Sequence, residues 1–173
     1  MEITISASSS PSPSTMPNAL AGLLEQMGIP HDVIWHKVDF SAQQTAHDTH
    51  TPRTAFAKVV VAAAGEQEVM LVLPANHDVV LERVAEAMGT PTACLVSEQR
   101  LAELFPDCEI GAQPPFGAQY GLPVLVAAPL ALDERITFNA GTHACAFRMR
   151  YADYERMERP RVVDFSLSAG TAS

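Results

Sequence analysis

The apolar positions change period several times along the chain, and each change marks an element. Leu20, Leu23, Leu24 and Met27 recur at helical spacing, with Asn18 as a possible N-cap and Gly28 and Pro30 as stops. His31–His36 reads as extended, and Ser41-Ala-Gln-Gln44 has the spacing of a capping box opening a short helix. Phe56–Ala63 and Glu68–Leu73 are apolar runs separated by Ala64-Gly-Glu-Gln67, which predicts a hairpin. Leu81, Val84, Ala85 and Met88 share one helical face, with Asp78 as the expected cap and Gly89 and Pro91 as the end. Ala93–Val96 is a further strand, and Ser97 opens a helix that runs through Leu104. A Gly- and Pro-rich stretch, Phe105–Gly121, precedes three more strand candidates, Leu122–Val126, Arg135–Asn139 and Ala144–Met149, and a last helical turn over Ala152–Met157. Several strands lie too close in sequence for helical crossovers, so the pattern predicts a mixed α+β sheet and not a doubly wound parallel one.

Composition adds limits. The 173 residues fit one domain. The expected division is a Ser/Pro-rich tail over 1–17, a folded domain over 18–165 and a second tail over 166–173. Twenty acidic against eleven basic residues give a net charge of −9. That balance excludes a broad DNA-binding face but leaves room for a local basic pocket that grips a nucleic-acid end. No apolar run reaches the roughly 18 residues of a membrane helix, and no secretory signal is evident. Cys94, Cys108 and Cys145 are odd in number and lack CxxC spacing, so reduced cytoplasmic thiols are expected. His47 with His50, and His143 with Cys145, lack the further ligands of a zinc site, and no metal or cofactor is expected. Glu103 and Asp107 read as a solvated face, and Trp35 as a core residue.

Three places stand out chemically. Lys58 interrupts the apolar run Ala55–Ala62, where an unpaired ammonium is costly. It snorkels from a strand end, pairs with a carboxylate, faces an anion pocket, or guards an edge strand. Gly111-Ala112-Gln113-Pro114-Pro115-Phe116-Gly117 brackets two prolines with two glycines, a pattern that suits a rigid loop presenting N–H groups or a stiff connection. Asn139-Ala140-Gly141-Thr142-His143 places polar side chains on a turn after a strand, where His143 could serve chemistry or simply cap the turn.

In order along the chain, Phe56–Val61, Leu73–His77, Leu101–Gly111, Pro114–Gly117, Tyr120–Pro123 and Phe138–His143 resemble the YbaK/ProX-type aminoacyl-tRNA deacylases, relatives of the editing domain of bacterial prolyl-tRNA synthetases. The resemblance spans about Asn18 to Arg159. It implies a single α+β domain with a mixed, partly barrel-like sheet flanked by short helices. It also implies hydrolysis of the ester joining a wrong small amino acid (Ala, Cys or Ser) to the 3′ end of a tRNA. By the same resemblance Lys58 grips the terminal nucleotides and the Gly111 loop orients the ester carbonyl. Ala112, Gln113, Pro114, Pro115, Phe116, Gly117, Asn139, Gly141, Thr142 and His143 line the substrate site. The expected partner is mischarged tRNA, with a prolyl-tRNA synthetase as a further candidate and neither membrane nor DNA. The alternative is a non-catalytic module that binds a tRNA end or a synthetase.

Overall fold

A strand rich in Val and Ala, β2 (Phe56–Ala64), organises the molecule, because both of its faces are covered. In the computed structural model, which describes residues 16–169, β2 pairs antiparallel with β3 (Gln67–Pro74) through a tight turn at Gly65-Glu66. On its other side it runs parallel to β7 (Arg135–Asn139) for only two register positions, Phe56 with Thr137 and Ala57 with Phe138. Further along, its edge takes up β5 (Ala93–Leu95). The remaining strands are β1 (His31–Trp35), β4 (His77–Val79), β6 (Val124–Ala127), β8 (Cys145–Arg150), β9 (Arg161–Val163) and β10 (Ser166–Ser168). The main sheet follows the order β1-β8-β7-β2-β3-β6-β9 as an open path, with β5 attached to β2, while β4 and β10 form a separate antiparallel pair. Parallel and antiparallel pairs mix, as the sequence pattern predicts.

Five helices cover the sheet: α1 (Met16–Gln26), α2 (Ala42–Asp48), α3 (Leu81–Met88), α4 (Glu98–Leu104) and α5 (Tyr151–Glu158). Two of the expected caps form, since Ser41 Oγ accepts from Gln44 N–H at 3.0 Å and Ser97 Oγ from Arg100 N–H at 3.1 Å. Asp78 does not cap α3; it is in β4, and Val80 precedes the helix without a side-chain cap. The helix expected from Asn18 begins at Met16, whose burial with Pro17 ties these two positions to the core. The remainder of the expected N-terminal tail, 1–15, lies outside the described residues, as do 170–173. Ser166, expected in the second tail, is buried and paired in β10.

Alternation along β2 divides the interior. Ala57, Val59 and Val61 face a larger core with Leu20, Leu24, Phe105, Phe116, Phe138, Phe147 and Tyr154. Val60 and Ala62 face a smaller one with Leu71, Leu73, Val84 and Phe165, and Phe56 packs with Ala46 of α2, Ala75 and Ala146. Each buried ring contributes about 1.5–3 kcal/mol. Trp35 is not in the core; it is 62% exposed because β1 is the sheet's edge.

Where β2 and β7 part, the chain after β7 turns through Gly141 at φ +91°, and a Cβ there would fall inside the side chain of Met16. Gly141→Ala combines left-handed strain with overpacking and is expected to destabilise the fold by about 2–4 kcal/mol. Urea denaturation measures this directly.

Candidate active site

The Gly111 loop and the turn after β7 are fastened to each other. Glu109 N–H donates to the Gly141 carbonyl and Gly141 N–H to the Ala112 carbonyl, both at 2.8 Å. Glu109 Oε1 accepts from His143 N–H at 2.7 Å and from Thr142 Oγ1 at 3.2 Å. His143 Nε2 lies 2.8 Å from the Ile110 carbonyl. Since a carbonyl only accepts, the Nε2 proton is fixed there. His143 therefore holds the loop in place and is a positioning residue. Gly111 sits at φ +87°, with a notional Cβ 3.5 Å from His143 Cε1.

Beyond Gly111 the loop is sunk into the protein. Tyr154 Oη donates to the Pro115 carbonyl at 2.6 Å, and the Phe116 ring meets Phe138 and Tyr154, each at 5.5 Å. A Cβ on Gly117 would lie 2.7 Å from Val124 Cγ2. Phe116 and Gly117, expected to line a substrate site, thus anchor the loop from the core side. The main-chain N–H groups of Gly111 and Gln113 make no hydrogen bond among the described residues. Fixed, unpaired donors on a rigid loop are what carbonyl polarisation requires. The buried Gln113 Nε2 also lacks a partner among the described residues.

Lys58 is on interior strand β2, so the edge-guard reading is excluded. It is half-buried, and no hydrogen bond or ion pair reaches it among the described residues. Burial pushes its ammonium below the ordinary lysine range, opposed by the charge of Asp78. Beneath it, His77 is buried with Nδ1 2.9 Å from Ser166 Oγ, and burial, then the Lys58 charge, lowers its basicity. The polar neighbours His77 and Asp78 escape a sequence reading because β4 has only three residues and no periodicity of its own.

The β2–β7 register ends at the Ala57–Phe138 pair; by alternation Lys58 and Asn139, the next residue on each strand, face the same side of the sheet as Phe56 and Thr137. The buried Oδ1 of Asn139 has no partner among the described residues. The turn that follows Asn139 bonds to the Gly111 loop. No direct bond joins Lys58 to that loop among the described residues. Across the His143 ring, Phe40 is 80% exposed with its centroid 4.9 Å away. Together with Val38, Glu109 and Ile110 they line a surface pocket of about 290 Å³.

No group of three or more His, Cys, Asp or Glu side chains able to hold a metal occurs among the described residues. Burial pushes the Cys108 thiol up to about 12 and Cys145 to about 11, so neither is a ready thiolate. Cys94 is exposed on β5, paired with Ala63. Asp107, expected on a solvated face, instead accepts from Tyr120 Oη at 3.0 Å; Glu103 is exposed and pairs with Arg100.

The curated Multifunctional Ser/Thr-tRNA deacylase ProXp-y of Escherichia coli (strain K12) is 31% identical over 156 residues, covering 87% of this chain and 92% of the relative. A solved structure described as a candidate trans-editing enzyme for prolyl-tRNA synthetase superposes with a TM-score of 0.78 at 20% identity, covering 92% of this chain and all of the other. A hypothetical protein of known structure gives a TM-score of 0.77 at 13% identity, covering 86% of this chain and 99% of its own. These two likenesses establish the fold. The sequence profile of the aminoacyl-tRNA editing domain matches residues 36–157, and the chain belongs to that family.

Proposed function

We propose that this protein is a free-standing trans-editing deacylase in which Lys58, Asn139 and the Gly111 loop form the hydrolytic site. The observation that carries the reading is the pair of N–H groups, Gly111 and Gln113, that make no hydrogen bond among the described residues, on a loop bonded to the turn that ends β7, the strand β2 runs parallel to just before Lys58. An aminoacyl ester is already activated, so positioning and oxyanion stabilisation suffice. Lys58 neutralises phosphate near the terminal adenosine, and the buried Asn139 carbonyl accepts from a ribose hydroxyl. The Gly111 and Gln113 N–H groups polarise the ester carbonyl. Water, or the neighbouring ribose hydroxyl, adds to the carbonyl carbon and loses its proton. The oxyanion collapses, the C–O bond to the ribose breaks, and its oxygen takes up a proton. Direct water attack yields free amino acid and tRNA; ribose attack first moves the ester to the neighbouring oxygen, where water completes the release.

The substrate in this reading carries a small side chain of the Ala, Cys or Ser kind, because a rigid, proline-stiffened loop leaves little room. Of the Ser/Thr activity in the name of the Escherichia coli relative, Ser falls within that range and Thr, one methyl larger, falls beyond it. A pocket separates side chains differing by one methylene by only about 1–3 kcal/mol. Such narrow discrimination gives a separate editing step its use. The protein then acts in the cytoplasm, on products of a prolyl-tRNA synthetase among others.

A panel of mischarged tRNAs tests the reading. Amino-acid release from at least one small-residue member, persisting in chelator, is expected; no release from any member contradicts it. Gly111→Ala should lower kcat/KM by about 100-fold with the fold retained but destabilised by about 1–3 kcal/mol, since its Cβ meets only ordinary contact while φ +87° strains any side chain.

Lys58→Met should lose a comparable share of activity while Tm stays the same or rises, because a half-buried, unpartnered ammonium is removed. A fall in Tm together with full activity would contradict the role given to Lys58. The triple variant Cys94→Ser, Cys108→Ser, Cys145→Ser should keep its kcat in single-turnover assays on the folded fraction, as no thiolate takes part.

A further inference from the structure

The distribution of cations points to a second anion site. Five of the eleven basic side chains meet a carboxylate among the described residues: Arg83 meets Asp164, Arg100 meets Glu68 and Glu103, Arg156 meets Asp153, Lys37 meets Asp48 and Arg135 meets Asp32. Arg148 is not one of them. Its guanidinium is half-buried, and its hydrogen-bond partners are all neutral: Thr137 Oγ1 at 3.1 Å, the Thr49 carbonyl at 2.8 Å and Thr51 Oγ1 at 2.9 Å. Thr51 in turn bonds Thr137 and Thr49, so the guanidinium is held by a built network without a counter-ion. A charge kept in place by neutral groups alone remains available to an anion.

Register places two more arginines beside it. Arg135 stands opposite Arg150 and Thr137 opposite Arg148, so Arg135, Arg148 and Arg150 share one sheet face. They line a pocket of about 220 Å³ with Pro30, His31, Asp32 and Met149. Asp32 is the carboxylate in it, 3.7 Å from Arg135, and three cations against one leave a positive excess on a chain of net charge −9. Arg150 has no carboxylate partner among the described residues.

That face is also the face of Lys58 and Asn139. Phe56, two residues before Lys58, aligns through Thr137 with Arg148, two strands and roughly 10 Å across the sheet. We propose that the Arg135–Arg148–Arg150 pocket binds a backbone phosphate of the tRNA whose aminoacyl end occupies the Lys58 site. The assignment rests on the editing reading. Two separated phosphate grips on one face fix the direction in which the RNA strand crosses the protein, and neither demands a broadly basic surface. Arginine forks suit this role because they meet phosphate oxygens in pairs.

The test is the salt dependence of binding uncharged tRNA, followed by fluorescence anisotropy. The double variant Arg135→Ala, Arg150→Ala should weaken binding severalfold and flatten the slope of log K against log salt by about one for each lost phosphate contact. Arg150→Ala alone, at an exposed side chain, should move both in the same direction. Arg83→Ala, a distant exposed arginine, should move neither. Wild-type affinity and slope in the double variant would overturn the proposal. So would loss of inorganic-phosphate binding, read by calorimetry, with tRNA binding unchanged, since the pocket would then serve a free small anion. If the wild type neither binds nor deacylates tRNA, the editing reading itself fails; wild-type binding with an indifferent double variant removes only this subsite.

Discussion

The site depends on the fastening of Glu109–Ala112 to Gly141–His143. The Glu109 carboxylate holds the turn, while the turn's Gly141 accepts from and donates to the loop. His143 completes the junction by spending its Nε2 proton on the Ile110 carbonyl. These bonds set the φ values above +80° at Gly111 and Gly141, which glycine alone adopts cheaply. The Gly111 and Gln113 N–H groups take no part in them and make no hydrogen bond among the described residues. A loop held this way needs no reorganisation when charge develops on a substrate oxygen, which is the condition for effective electrostatic catalysis.

The sheet supplies the second half of the arrangement. β2 and β7 stay together for two register positions, and the next residue on each strand, Lys58 and Asn139, is polar. Both are expensive for folding: a half-buried ammonium that no ion pair reaches and a buried amide oxygen with no donor, among the described residues. The apolar packing of Phe56 and Leu73 on the same face offsets this cost.

Much of this was legible in the sequence. Period changes located the five helices and the longer strands, and the Ser41 and Ser97 caps form as their spacing predicts. The lysine in an apolar run and the prolines between glycines were visible as oddities, and the structure places the first half-buried on β2 and the second in a loop bonded to the turn after β7. What escaped depends on tertiary placement. Three-residue β4, β9 and β10 carry no measurable period, so Asp78 read as a helix cap. Trp35 is exposed because β1 forms the edge of the sheet, a fact of topology and not of pattern. Phe116 and Gly117 were indistinguishable from substrate-lining loop residues until their packing against Phe138, Tyr154 and Val124 was visible. The arginine pocket, likewise, exists only through strand register.

A crystal structure with a non-hydrolysable amide analogue of the aminoacylated terminal dinucleotide tests the central claim most directly. The account predicts the analogue's carbonyl oxygen within hydrogen-bond distance of the Gly111 or Gln113 N–H, and its phosphate facing the Lys58 ammonium. An analogue bound with its carbonyl away from that loop, or with its phosphate remote from Lys58, would contradict it.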